Sequence, residues 1–168
     1  MWIVVFQSLP IKELLLIART CSALRLLVKA YWPLAFNLAR LLLPFLLPEH
    51  VPGFRSMLKT VGGIVSGSIA LQFLDRTSYE CSDLDIYIPF ENASVADDWI
   101  SKHGMAKEPP KANAGETPMG YGENRELTNI TNYRVCRSGR LVQLISTKRS
   151  PVYAVLAFHS CMCLLTLI

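Results

Sequence analysis

Residues 62–89 read GGIVSGSIALQFLDRTSYECSDLDIYIP, and the predicted fold is built around them. The first seven residues predict a short buried strand that ends in a small-residue turn, Gly67-Ser68. Residues 69–74 then predict a helix that begins at this turn. Asp83 and Asp85 stand at the start of a second apolar strand. We therefore expect a βαβ-like unit here, with the two acids close to the glycine-serine turn.

The residue types in this unit suit a phosphorylated ligand with a hard cation. Asp83 and Asp85 are two positions apart, so on a strand they point to the same side, with Cα atoms roughly 6.5–7 Å apart. Two carboxylates placed in this way can hold one or two divalent cations. A helix N-terminus that follows a glycine can bind phosphate through its free N–H groups. A nucleoside triphosphate with Mg²⁺ combines both requirements.

Gly67-Ser68, a helix and then Asp83-Leu84-Asp85 on a strand resemble the signature of the polymerase-β-like nucleotidyltransferase superfamily. The resemblance implies that Gly67 and Ser68 bind nucleotide phosphates and that Asp83 and Asp85 bind Mg²⁺ and serve as the catalytic acids of an active enzyme. The wider stretch 65–89 resembles fungal proteins of unassigned activity that join this module to an F-box-like N-terminus. In those proteins the chain continues past its last helix, which implies that this chain is a truncated or mis-spliced gene model.

The third carboxylate that the superfamily uses is missing from the matching strand. Residues 141–145 predict that strand, and its corresponding position is Gln143. No Asp or Glu lies between residue 127 and the C-terminus. An amide cannot accept a proton from an attacking hydroxyl group, so we expect weak or absent catalysis. An active nucleotidyltransferase remains the alternative, although nothing in the sequence indicates that Glu123 or Glu126 replaces the missing acid.

Composition limits the remaining possibilities. The chain has 168 residues, of which 51% are hydrophobic, and a formal net charge of +4, which permits an anionic ligand without requiring one. Its five cysteines form no C-x-x-C pair, which favours reduced thiols in the cytoplasm or nucleus. Charged residues interrupt the N-terminal apolar stretches, and residues 151–168 favour a buried helix over a membrane anchor. Basic and aromatic residues do not interleave as in a nucleic-acid-binding strip.

Residues 9–31 carry apolar side chains at spacings of three and four, which predicts one helix. Pro33 is expected to start a second helix over residues 34–43. Leu9-Pro10 and the leucines that follow resemble an F-box, the helical module that binds a Skp-type adaptor of a ubiquitin ligase. The match is degenerate, because Glu13 comes one position late and the middle of the module is absent. A helical hairpin that packs on its own domain is the other interpretation.

The second half of the chain completes an α+β prediction. Residues 105–124 predict a mobile loop, residues 127–135 a strand, and Ser150-Pro151 the start of the last helix. We expect a small mixed sheet of the nucleotidyltransferase type flanked by helices, divided into a helical F-box-like extension at 1–50 and an α/β domain at 51–168. Four basic residues flank the third strand and form either a phosphate-binding group or a solvated edge: Arg137, Arg140, Lys148 and Arg149.

Overall fold

A computed structural model describes residues 2–109 and 126–157, and the backbone of residues 166–167. Residues 110–124 of the loop predicted at 105–124 and most residues after 157 lie outside the described residues. The first part of that loop prediction is wrong, because Met105–Lys107 form a strand by pairing with residues 133–135, which are distant in sequence. The α-helices are α1 (Trp2–Ser8), α2 (Ile11–Thr20), α3 (Ser22–Ala35), α4 (Leu38–Leu42), α5 (Val51–Val61), α6 (Ser68–Asp75), α7 (Ala93–Lys102) and α8 (Pro151–Leu156). The strands are β1 (Ile64–Ser66), β2 (Leu84–Pro89), β3 (Met105–Lys107), β4 (Leu127–Val135), β5 (Leu141–Thr147) and β6 (Thr166–Leu167).

The strands form one mixed sheet in the order β3-β4-β5-β2-β1-β6. β2 runs parallel to β5, and the other neighbouring pairs are antiparallel. The prediction of an α+β chain with a mixed sheet flanked by helices is confirmed. The βαβ-like interpretation of residues 62–89 needs a correction, because β1 and β2 pair antiparallel, whereas a βαβ crossover joins parallel strands.

The two faces of the sheet have different cores. Alternation along β2 sends Leu84, Ile86 and Ile88 to one face, where they pack with α5 and α7 in the main core. Tyr87 points to the other face and packs with a smaller cluster that includes Val155 of α8. Asp85 shares this second face, at the end of β2 where the apolar cover stops. Asp85 therefore lies on the face of the sheet that carries the smaller core and not on the face of the main core.

The N-terminal helices have their own small core, in which Phe6, Leu14, Val28 and Tyr31 are buried. The predicted continuous helix over 9–31 is interrupted at Cys21, whose extended backbone (φ −152°, ψ 166°) separates α2 from α3. Pro33 does not begin a new helix. It lies inside the last turn of α3, and the helix ends two residues later, as expected where a proline removes a backbone hydrogen bond. α2 and α3 instead form a helical hairpin within the segment that was predicted as one helix, so the predicted hairpin of residues 9–31 and 34–43 is wrong.

Arg76 joins this helical region to the sheet domain. The residue caps α6 in a left-handed conformation (φ 55°), which turns its side chain toward the N-terminal helices. Its Nη1 donates to the Phe6 carbonyl at 3.0 Å and to the Tyr31 hydroxyl at 3.1 Å, and its Nη2 donates to the Leu9 carbonyl. One guanidinium group thus ties the end of α6 to α1, α3 and the α1–α2 connection.

Candidate functional site

The turn between β1 and α6 consists of Gly67 alone. Its backbone (φ 75°, ψ −150°) lies in a region that is open essentially only to glycine. A β-carbon at this position would lie 2.3 Å from Asp85 Oδ2. The predicted proximity of the glycine-serine turn to the acids is therefore confirmed, and it depends on the absence of a side chain at residue 67.

Asp85 lies in a row of polar residues that crosses the sheet. It pairs with Ser66 on β1 and with Gln143 on β5, and Gln143 pairs in turn with Asn132 on β4. Residues paired in this way place their side chains on the same face. Gln143 Nε2 donates to Asn132 Oδ1 at 3.3 Å. Gln143, which was predicted to occupy the position of the third carboxylate, thus lies directly beside Asp85 on the neighbouring strand.

The sequence alone did not identify Ser66 and Asn132 as part of this row. Both occupy strands with the correct alternation, but their role depends on the register between strands. The closeness of Ser66 to the Gly67 turn was a usable local signal, since the residue before the turn must lie at the same end of the sheet. Asn132 offered no comparable signal.

Asp85 is held in an unusual electrostatic state. Its Oδ1 is buried and has no hydrogen-bond partner among the described residues. Burial, reinforced by the negative charge of Asp83, raises the pKa of Asp85 to about 7. A buried carboxylate without donors is costly unless it takes up a proton or faces a cation. Near neutral pH the Asp85 side chain can therefore be either protonated or charged and facing a cation.

Asp83 lies just before β2 and is exposed. Partial desolvation raises its pKa, and the positive charges of Arg134 and Arg140 act in the opposite direction. The Ser68 hydroxyl donates to the Asp83 carbonyl at 3.4 Å. Gly67 therefore lies against the Asp85 carboxylate, whereas Ser68, the first residue of α6, contacts the backbone of Asp83.

The N-terminus of α6 begins at this place. Its first helical hydrogen bond runs from the Leu71 N–H to the Gly67 carbonyl at 3.1 Å, so the amides of residues 68–70 precede the helical ladder. No acidic residue lies in the first turn of this eight-residue helix. Amides in this position favour an anion, and the adjacent carboxylates require a cation between them and any phosphate.

No third acid completes the site in the part of the chain that the structure describes, where no three His, Cys, Asp or Glu side chains come together. Glu126 lies six residues from Asn132, roughly 20 Å along the strand direction. Its backbone accepts from the Lys148 N–H at 2.8 Å, and its carboxylate lies 3.9 Å from Arg149 Nε. Glu126 therefore does not face Asp85, and Glu123 lies outside the described residues. The described acids that could bind a divalent cation here are Asp83 and Asp85, and Oδ1 of Asp85 is buried without a partner among the described residues.

The four basic residues around β5 do not form one group. Arg140 lies near Asp83, whereas Arg137 donates to the Leu43 carbonyl. Lys148 and Arg149 lie at the opposite end of β5, where Arg149 also stacks over Tyr153 at 5.2 Å. Of the two interpretations of these residues, a single phosphate-binding group is therefore wrong, because it combined residues that lie at opposite ends of a strand.

Comparison of the chain with protein-family models, with curated proteins and with solved structures finds no match in any of the three. None of the helices in the described ranges is long and apolar enough to cross a bilayer.

Proposed function

We propose that this chain is a nucleotidyltransferase-like protein that binds a nucleotide together with Mg²⁺ and catalyses transfer weakly or not at all. The observation that carries the proposal is the contact between the Gly67 turn and Asp85, whose buried Oδ1 has no partner. A cation at this point would replace the proton that the raised pKa of Asp85 otherwise favours. The α+β architecture with its mixed sheet is compatible with the proposal.

Different residues would bind the metal ion and the phosphate groups of the ligand. Asp83 and Asp85 would hold the metal, and the amides at the start of α6 with the Ser68 hydroxyl would hold the phosphates. When bound, Mg²⁺ neutralises phosphate charge and so favours phosphoryl-type transfer. Gln143 accounts for the weak catalysis, because its amide adds neither a charge to the metal site nor a base for the attacking hydroxyl. Loss of one such contributor typically costs about 10²–10⁴-fold in rate.

The test is calorimetric titration of the full chain with ATP, GTP, CTP and UTP in the presence of Mg²⁺. We expect at least one nucleotide to bind, and its affinity to fall about tenfold or more in Asp85→Asn, since a charge facing the metal is lost. Asp98→Asn is the matched control, because Asp98 is an exposed acid on α7, away from the polar row. Equal binding by the wild type and Asp85→Asn would contradict the proposal.

An active nucleotidyltransferase is distinguished by its products. Incubation with labelled nucleotide and Mg²⁺ or Mn²⁺ should give little or no incorporation and little pyrophosphate if Gln143 limits catalysis. Rapid, Asp85-dependent pyrophosphate release would establish the active enzyme in its place.

A substrate adaptor of the F-box type is the second candidate, and the exposed apolar side chains of the N-terminal hairpin favour it. Leu15, Leu16 and Leu26 are between 51% and 67% exposed, more than an isolated hairpin surface needs. Co-purification of the full chain with a Skp-type adaptor tests this function. Leu15→Glu with Leu16→Glu should abolish retention, whereas Val95→Glu on the remote helix α7 should not. Failure of the wild type to retain the adaptor removes the candidate.

A further inference from the structure

A cavity of about 560 Å³ lies between the N-terminal helices and the segment formed by α6 and the loop that follows it. The volume is in the range of small-molecule sites, which often occur where two structural units meet. Neither Asp83 nor Asp85 lines the cavity. It is therefore distinct from the candidate nucleotide site, although Ser82 and Arg140 bring it close to Asp83.

Hydrogen bonds hold the segments around the cavity in place, and apolar side chains contribute to its lining. Arg137 donates to the Leu43 carbonyl and Ser138 Oγ to the Pro44 carbonyl at 2.5 Å, which fastens the β4–β5 turn to the end of α4. On the α6 side, Gln72 is buried and holds the loop through Ser82 Oγ at 2.6 Å and the Tyr79 N–H at 2.9 Å. The apolar lining comes from both sides of the cavity and includes Tyr31, Leu34, Phe45, Ile69 and Phe73.

The charged lining is predominantly positive. Arg40, Arg76 and Arg140 line the cavity, against Glu80 as the acid among its lining residues. Arg76 is committed to the carbonyls of the N-terminal helices, yet its Nε is buried without an acceptor among the described residues. The guanidinium groups of Arg40 and Arg140 make no hydrogen bond or ion pair to another residue in the described ranges. Two guanidinium groups thus lie on the walls of a space whose other lining residues are partly aromatic or aliphatic and partly polar.

We infer that this cavity binds a small molecule in which a phosphate or carboxylate group is attached to an apolar body. Guanidinium groups recognise both anions through paired N–H donors, and the aromatic and aliphatic walls suit the body of the ligand. A neutral or cationic molecule of the same shape would leave the arginines unpaired and would bind poorly. The lining residues differ from the residues of the proposed nucleotide site, but the charge of Arg140 also acts on Asp83, so Arg40 is the residue that separates the two proposals.

The probes are phenyl phosphate, phenylacetate and benzyl alcohol, which share an aromatic ring and differ in charge. Binding to the full chain is followed by calorimetry or by chemical-shift changes. We expect one or both anions to bind and benzyl alcohol to bind at least about tenfold more weakly. The comparison of phosphate with carboxylate identifies which anion the site prefers. Absence of binding by both anions, or equal binding by the alcohol, would overturn the inference.

The variants locate the site. Arg40→Gln and Arg140→Gln should each weaken binding of the preferred anion about tenfold, which corresponds to about 1.4 kcal/mol, because each variant removes a charge-assisted hydrogen bond. Arg55→Gln, an exposed arginine of α5 outside the cavity, should leave the affinity unchanged. Similar losses in all three variants would mean general charge attraction and would contradict a built site.

The nucleotide proposal and the cavity proposal can be tested independently. Asp85→Asn should weaken nucleotide binding and leave phenyl phosphate binding unchanged, whereas Arg40→Gln should do the reverse. If phenyl phosphate instead competes with the nucleotide and loses affinity in Asp85→Asn, it occupies the candidate nucleotide site and the separate cavity site is wrong.

Discussion

Gly67 touches the carboxylate of Asp85 so closely that a β-carbon at residue 67 would lie 2.3 Å from Asp85 Oδ2. The contact joins a backbone conformation that only glycine adopts readily to a buried acid on the neighbouring strand. The turn and the acid consequently form one structural unit, and a change in either one disturbs the other.

Replacement of Gly67 by alanine should therefore displace Asp85. The methyl group would clash with the carboxylate, and the backbone would be strained at φ 75°. Strain of this kind costs about 1–3 kcal/mol before the clash is counted. Thermal or denaturant unfolding measures the loss of stability, and titration with Mg²⁺ and nucleotide measures the loss of binding.

Gly139→Ala is the matched control for this variant. Gly139 also has a positive φ (68°), but no atom lies within 4 Å of a β-carbon built there. It should lose about 1–2 kcal/mol from backbone strain alone. A Gly67→Ala protein that is no less stable than Gly139→Ala and binds nucleotide normally would contradict the close contact.

The raised pKa of Asp85 predicts how stability depends on pH. The pKa is about 7 in the folded chain and near 3.8 in the unfolded chain, so between these values the folded state binds more protons. The free energy of unfolding should then fall as pH rises from about 4 to 7 and level off above 7, by about 4 kcal/mol in full. The measurement is unfolding by denaturant across this pH range without divalent cations.

Asp85→Asn should remove this part of the pH dependence, because the amide does not titrate. At pH 8 and without metal the variant should be more stable than the wild type. Added Mg²⁺ should stabilise the wild type and not the variant, and Asp98→Asn should behave as the wild type. Identical pH profiles for Asp85→Asn and the wild type would show that Asp85 is not the buried titrating group.

Local sequence signals predicted the elements at the site. The small residues around Gly67 predicted the end of β1 and the start of α6, short apolar runs predicted β2 and β5, and alternation of residue types predicted β4. Strand periodicity also predicted that Asp83 and Asp85 lie on the same side, and this stays a prediction, because Asp83 precedes β2 and is not part of it. These features depend on neighbours within a few residues, which is the range that sequence patterns describe.

Long-range pairings could not be predicted in the same way. The polar row depends on the register that places Ser66 and Gln143 on either side of Asp85, and no local window contains that register. The link from Arg76 to Phe6 spans 70 positions and uses a backbone carbonyl, which carries no residue-specific signal. The break at Cys21 was missed because apolar periodicity continues through it.

Installing the missing carboxylate tests the role of Gln143. Gln143→Glu places a third acid directly beside Asp85, so without metal the added negative charge should raise the pKa of Asp85 further and lower stability above pH 7. With Mg²⁺ or Mn²⁺ the same charge should favour the cation, with affinity increased about tenfold or more. Calorimetric metal titration and an assay of pyrophosphate release measure the two consequences.

Asn132→Asp is the control for this gain. It adds the same charge one strand farther away, roughly 10 Å from Asp85 across the sheet. Its effect on metal affinity should be clearly smaller. Equal effects of the two variants would show that total charge, and not adjacency to Asp85, governs binding.

Loss of Arg76 should loosen the N-terminal helices without unfolding the sheet. Arg76→Met removes the donors to Phe6, Leu9 and Tyr31 and should cost about 2–4 kcal/mol, because hydrogen bonds from a charged group are among the stronger ones. Hydrogen exchange should accelerate in residues 2–20 and stay slow in β2 and β5. Arg76→Gly loses the same donors but relieves the left-handed conformation at φ 55°, so it should be about 1 kcal/mol more stable than Arg76→Met. Uniform acceleration of exchange across helices and sheet would mean that the two regions unfold together, and the guanidinium group would then be no specific tie between them.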